Sequence, residues 1–242
     1  MPDKRTHRGA HPEDADGFAT PWHAAMRAAV ADLSWLLSRA YATPSAVKLV
    51  GDRYGLSARQ RTAVTRCACA DDALAGRLHR EIRFEDVRGR NVFIDGYNVL
   101  TTIEVALGGG WVLAARDTTF RDMASIHGSY RKVEETRPAI ELLGRTLADA
   151  GVARTVLYLD QPVSNSGRLK AIIGEIIAAR GWDWDVQIVP NPDAVLIAAP
   201  ADAIVASADS VVMDGCPCWV NLAREVVTRH VSDANLINLQ VG

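Results

Sequence analysis

Apolar and polar positions follow two different rhythms, which change over near residue 90. Before it, apolar residues recur at three- and four-residue steps. Met26, Val30, Leu33, Leu37 and Tyr41, within Trp22 to Tyr41, predict an amphipathic helix. Val47, Leu49 and Val50 predict a short helix that Gly55 ends as the residue beyond its cap. Ser57-x-x-Gln60 supplies a capping box for the next helix, and Asp71 reads as the N-cap of another over 71–82. Phe84 to Val87 reads as a short strand. Residues 1–21, with Pro2, Pro12 and Pro21 among charges and glycines, read as an extended arm.

After residue 90 the apolar residues come in short runs bounded by turn signals, the pattern of buried strands. Val92-Phe93-Ile94 runs into Asp95, and a helix over 97–107 ends at Gly108-Gly109-Gly110, read as a flexible corner. Trp111 to Ala115 is a strand, with Asp117 and Asp122 in the turn and strand beyond it. Thr136 caps a helix to Asp149, with Gly151 just past its end. Arg154 to Asp160 is the next strand, followed by a helix from about Arg168 to Arg180. Trp184 to Val189 and Ala203 to Ser210 are further strands, separated by a short apolar segment, Ala194 to Ala199. Trp219 to Thr228 reads as a closing helix and Leu236 to Leu239 as an edge strand. Strands alternating with helices imply a parallel sheet. The expected organisation is a smaller α-helical domain, 1–88, joined at Arg88-Gly89-Arg90 to an α/β domain, 89–242.

Composition adds an asymmetry hidden in the net charge of −2. Residues 1–90 hold 15 Lys and Arg against 11 Asp and Glu, and residues 91–242 hold 12 against 18. A basic front and an acidic back fit a positive binding surface joined to a carboxylate-rich site. The 4 cysteines form two pairs, Cys67-x-Cys69 and Cys216-Pro217-Cys218. That spacing is too short for a structural zinc site, so buried reduced thiols are expected. A charged start without an apolar core and the absence of a long apolar run predict a cytosolic protein without a membrane span. The stripe on residues 26–41 suits self-association or core packing equally.

Three aspartates, Asp95, Asp160 and Asp209, stand where strands stop, and Asp193 opens a short helix. Parallel strands place their carboxyl ends on one side, where ligands bind. Carboxylates gathered there repel unless a divalent ion is bound, and oxygen-only ligands suit Mg²⁺ or Mn²⁺. Asp214 and Asp122 are secondary candidates. Asn98, one turn after Asp95, is placed to hold a metal water or a substrate phosphate. Ser164-Asn165-Ser166-Gly167, opening a helix beside Arg168, has the make-up of a phosphate pocket. Helices joined at Gly55 resemble a helix-turn-helix, with Arg59, Arg61 and Arg66 on the second as phosphate contacts. His7 and His11 are ligands or substrate contacts, or else solvated side chains or packing caps of a polar arm.

Ile94-Asp95-Gly96-Tyr97-Asn98 resembles the opening strand of the NYN branch of PIN-like nucleases. Most of the chain resembles a bacterial and archaeal family of unknown function with a helical front end and a PIN-like back end. His7 to Asp14 matches that family's usual start. The resemblance implies a PIN-like (Rossmannoid) parallel-sheet fold. Ser207-Ala208-Asp209 is similar to the turn that carries a metal-facing acid, and Asp193 to the acid heading the preceding helix. Asp95, Asp160 and Asp209 would then hold Mg²⁺ or Mn²⁺, with Asp193 completing the shell, for cleavage of RNA. The acid that PIN nucleases carry on an early helix has several candidates: Glu104, Glu134, Glu135, Glu141 or Asp122. The alternative is a non-catalytic RNA- or nucleotide-binding regulatory protein. A haloacid-dehalogenase-type phosphatase would need a second aspartate where Tyr97 stands.

Overall fold

A computed structural model describes residues 6–124 and 130–241; the first five residues of the N-terminal arm therefore lie outside it. The front of the chain is helical: α1 (Asp14–Gly17), α2 (Thr20–Leu37), α3 (Thr43–Arg53), α4 (Ala58–Cys67) and α5 (Asp71–Arg80). Then follow β1 (Asn91–Asp95), α6 (Gly96–Leu107), β2 (Trp111–Ala114), β3 (Phe120–Asp122), α7 (Thr136–Asp149), β4 (Arg154–Asp160) and α8 (Ser166–Arg180). The rest comprises β5 (Trp184–Val189), α9 (Pro192–Ile197), β6 (Ile204–Ala206), α10 (Ser210–Gly215), β7 (Trp219–Val220), α11 (Leu222–His230) and β8 (Asn235–Asn238).

The fold is mixed α/β around a five-stranded sheet in the order β5-β4-β1-β6-β7, parallel throughout. Side-chain alternation sorts the strands' residues into two layers. Val92, Ile94, Leu157, Leu159, Ile204 and Ala206 face α6, α7, α8 and α11. Phe93, Val156, Tyr158 and Val205 face α9 and α10, with Leu196, Met213 and the fully buried Trp219. Asp95 and Asp160 continue the second parity, so both point towards the side of α9 and α10.

A second sheet, in the order β3-β2-β8, was not readable from local pattern. Its Leu113 and Ile237 pack with Met26, Leu33, Val50 and Val64 of the front helices. Apolar side chains from both sides of residue 88 thus share one cluster. The front is tied to the large sheet too: Ile82 N–H donates to Trp219 O at 2.7 Å. Arg77, 3% exposed, grips both Asp214 (2.7 and 2.8 Å) and Asp117 (2.6 Å).

Several expectations are corrected. Phe84–Val87 is a 3₁₀ helix, whose three-residue turn sends both Phe84 and Val87 into the core. Trp219 and Val220 form β7 before α11 begins at Leu222. Ala70 is the N-cap of α5, because Asp71 turns its carboxylate to Arg116 at 2.7 Å and gives its N–H to Ser38 Oγ. Thr136 is the first helical residue of α7 rather than its cap, with its hydroxyl bonded to Glu104 at 2.6 Å. The triple-glycine corner is pressed against the arm: a Cβ at Gly108 or Gly110 would lie 3.1 or 3.2 Å from the Arg8 backbone. The capping box at Ser57 and Gln60 and the left-handed Gly55 are as expected. All four cysteines are free and buried, and burial pushes Cys67 up to about 12. Among the described residues no helix is long and apolar enough to cross a membrane.

Candidate functional site

Asp95 stands at the junction of β1 and α6 and serves both. As N-cap it accepts from Asn98 N–H through Oδ1, and Oδ2 accepts from Ser207 Oγ at 2.8 Å. Asn98 returns the clasp by accepting Ala208 N–H at 2.8 Å. Ser207 Oγ also accepts Asp209 N–H at 3.0 Å, and Asp209 caps α10 by accepting Val211 N–H at 2.8 Å. The turns after β1 and β6 are therefore locked together, with Asp95 and Asp209 side by side. β6 itself stops at Ala206, so Asp209 is a helix cap and not a strand end.

The carboxylates at this end of the sheet sense one another. Asp95, 7% exposed, is pushed up to about 7, first by burial and further by Asp209 and Asp193, against bonds from Ser207 and Asn98. Burial also raises Asp193, with Asp209 and Asp160 adding to the effect, and burial raises Asp160. Asp95 and Asp209 are joined through Ser207, whereas Asp160 at the end of β4 and Asp193 in α9 make no hydrogen bond to them. Among the described residues no three His, Cys, Asp or Glu side chains are gathered closely enough to hold a metal ion.

Asp95 and Asp209 form one wall of a cleft of about 370 Å³, lined also by Tyr97, Asn98, Thr101, Thr102, Asp122, Arg66 and Arg121. Asp160 and Asp193 stand outside that lining. Asp122 closes β3, accepting from Thr102 Oγ1 at 2.9 Å and from Ala124 N–H at 2.8 Å, and burial raises its pKa. Of the candidates for the early acid, Asp122 is the one that reaches the cleft. Glu104 is fully buried elsewhere, held by Arg8 (2.8 and 2.9 Å), Tyr130 and Thr136. Glu135 and Glu134 engage His7, and Glu141 engages Arg180. Asp214 belongs to the Arg77 tie.

The turn before α8 is fastened beside Asp160. Ser166 hydroxyl lies 2.6 Å from both Asp160 O and Val163 O and 2.7 Å from Tyr97 hydroxyl. Ser166 is thereby spent inside the protein, whereas Ser164, Gly167 and Arg168 are exposed. Two arginines of α4 are committed internally: Arg59 to the buried Asp14, and Arg61 to Asp52 at 2.8 Å and Leu56 O at 2.9 Å. Arg66 crosses to the cleft. Arg121, Thr101 and Thr102 also line it, although neither an isolated arginine nor a threonine mid-helix carries a sequence signal.

Buried Asp95 gives a signed pH dependence. A carboxyl raised above its ordinary range stabilises the fold fully below that range and loses the contribution as pH rises through about 7. The metal-free chain should melt at a higher temperature near about pH 5.5 than near about pH 8, and Asp95→Asn should flatten that difference. Thermal denaturation of both proteins at the two pH values checks this.

Comparison with known proteins adds relatives whose function is unknown. Residues 84–225 match a family model described as a domain of unknown function, DUF5616, and residues 25–80 match one described as a protein of unknown function, DUF434. An uncharacterized protein of Methanocaldococcus jannaschii is 30% identical over 182 residues, covering 75% of this chain and 86% of its own. No solved structure matches significantly.

Proposed function

Because the chain belongs to the DUF5616 family, whose function is unknown, we propose its chemistry from the site itself: metal-dependent hydrolysis of RNA phosphodiesters by a PIN-like domain. The observation that supports the reading is Asp95, buried at the carboxyl end of β1 and linked through Ser207 to the Asp209 turn, with Asp209 and Asp193 adding to the effect of its burial. Such a group is costly without a cation, and its all-oxygen donors suit Mg²⁺ or Mn²⁺. Asp95, Asp209 and Asp122 share the cleft, and Asp160 and Asp193 stand at the end of β4 and the start of α9. A divalent ion held by Asp95, Asp209 and Asp122 would activate water and offset charge on the phosphate. The residues do the placing: Ser207 and Asn98 fix Asp95, and Asn98 joins the turns that carry Asp95 and Asp209.

Calorimetry with Mn²⁺ and a cleavage assay on single-stranded RNA test the proposal. Saturable Mn²⁺ binding that strengthens as pH rises through about 7, together with Mn²⁺-dependent cleavage, is expected. Neither binding nor cleavage would remove the nuclease reading. RNA binding without cleavage would instead support the non-catalytic regulatory alternative, which draws on the cations in the same cleft.

A further inference from the structure

The acids occupy only part of the cleft, and its cations come from two distant parts of the chain. Arg66 arrives from the end of α4, in the segment matched by the DUF434 model, and Arg121 from β3. Arg66 donates from its terminal nitrogens to Asp122 O and, at 3.2 and 3.3 Å, to Ala124 O, yet its side chain remains 32% exposed. Arg121 is anchored by Asp117 (2.7 Å), Thr119 Oγ1 (3.0 Å) and Ser210 Oγ (3.2 Å). A guanidinium has five N–H donors, so both retain hydrogens for a ligand.

A third group points the same way. Thr101, on α6, lines the cleft and is 3% exposed, and its hydroxyl has no hydrogen-bond partner among the described residues. Its neighbour Thr102 is satisfied twice, by Asn98 O at 3.0 Å and Asp122 at 2.9 Å. Buried polar atoms without partners are scarce in folded proteins. Here the orphan hydroxyl shares a cleft with two arginines whose planar forks suit phosphate oxygens.

We infer that Arg66, Arg121 and Thr101 form a phosphate subsite, which takes a phosphate of single-stranded RNA next to the one presented to Asp95. The inference rests on the nucleic-acid reading of the cleft and makes the front segment part of the substrate grip. A cleft of about 370 Å³ has room for a nucleotide-sized unit and not for a duplex.

The full chain, titrated by fluorescence anisotropy with a short labelled oligoribonucleotide in EDTA over a range of salt, tests this without turnover. Arg66→Gln is expected to weaken binding about tenfold and to make the salt slope shallower by about one counterion. Arg66→Lys keeps the charge and should restore the slope with only part of the affinity. Both should keep the parent's circular-dichroism spectrum, which reports that the fold is intact. Titration with a 5′-mononucleotide separates the sources: tight, Arg66-dependent binding would assign the subsite to a free nucleotide's phosphate. Unchanged affinity and slope in Arg66→Gln would overturn the subsite and leave an Mn²⁺-dependent, Asp95-dependent cleavage untouched. Arg66-dependent binding by a chain that neither binds Mn²⁺ nor cleaves would keep the subsite and remove the nuclease.

Discussion

Asp95→Asn is expected to abolish Mn²⁺ binding and slow RNA cleavage by on the order of 10²–10³-fold, while raising the melting temperature of the metal-free chain near about pH 8. The two effects have opposite signs because they share one cause. Asp95 is buried among acids, so its charge is a burden to the empty fold and an asset to a bound cation. Asparagine keeps the acceptor that takes Asn98 N–H and the shape that meets Ser207, so the clasp between the β1 and β6 turns survives. In a chain of this size ~1 kcal/mol moves the midpoint by about 2–4 °C, a shift that calorimetry resolves. Metal binding equal to the parent's would sink the proposed site; a lower melting temperature would show that the Asp95 charge is already compensated in the empty protein.

Gly96→Ala should be the more damaging change to the fold. A Cβ at Gly96 would lie 2.5 Å from Tyr158 O, 2.6 Å from Leu157 Cδ2 and 2.9 Å from Leu159 Cδ2. A leucine can turn aside, but the carbonyl belongs to β4, which pairs with β1 through Asp95 opposite Tyr158. Relief therefore requires the start of α6 to lift off the sheet. Overpacking of this kind costs about 1–3 kcal/mol, and rigid backbone on one side puts this site at the upper end. The lift also pulls Asn98 N–H away from the Asp95 carboxylate it donates to, so cation affinity should fall with stability. Chemical denaturation and Mn²⁺ titration of the variant check both; a loss below about 0.5 kcal/mol would mean that the close approach relaxes freely.

What the sequence revealed follows the range of the interaction responsible. β1 and β4 were legible because an apolar run that stops at an aspartate is written in consecutive residues. Gly55 and the Ser57–Gln60 box were legible because capping is settled within a few positions. β7 was hidden because two residues are too few to show a period, and its partner β6 lies more than ten residues away. The β3-β2-β8 sheet was hidden because pairing of Trp111 with Asn235 leaves no local trace. Asp95 and Asp209 were found by their position after a strand or in a resembling turn, whereas the placing of Arg66 in the cleft required knowing how α4 sits against β3. The same absence of long-range information made Arg59 and Arg61 look free, although Asp14 and Asp52 occupy them.

The pairing of β8 with β2 sets an order of events on the ribosome. Ile237 and Leu239 complete the packing around Met26 and Leu33, and Arg27 donates to Asn238 O across 211 residues of chain. The front helices thus pack on one another but keep part of their apolar faces uncovered until β8 has been made. Closing this cluster therefore depends on β8, so shortening the segment from Asn235 onward should loosen helices made some two hundred residues earlier.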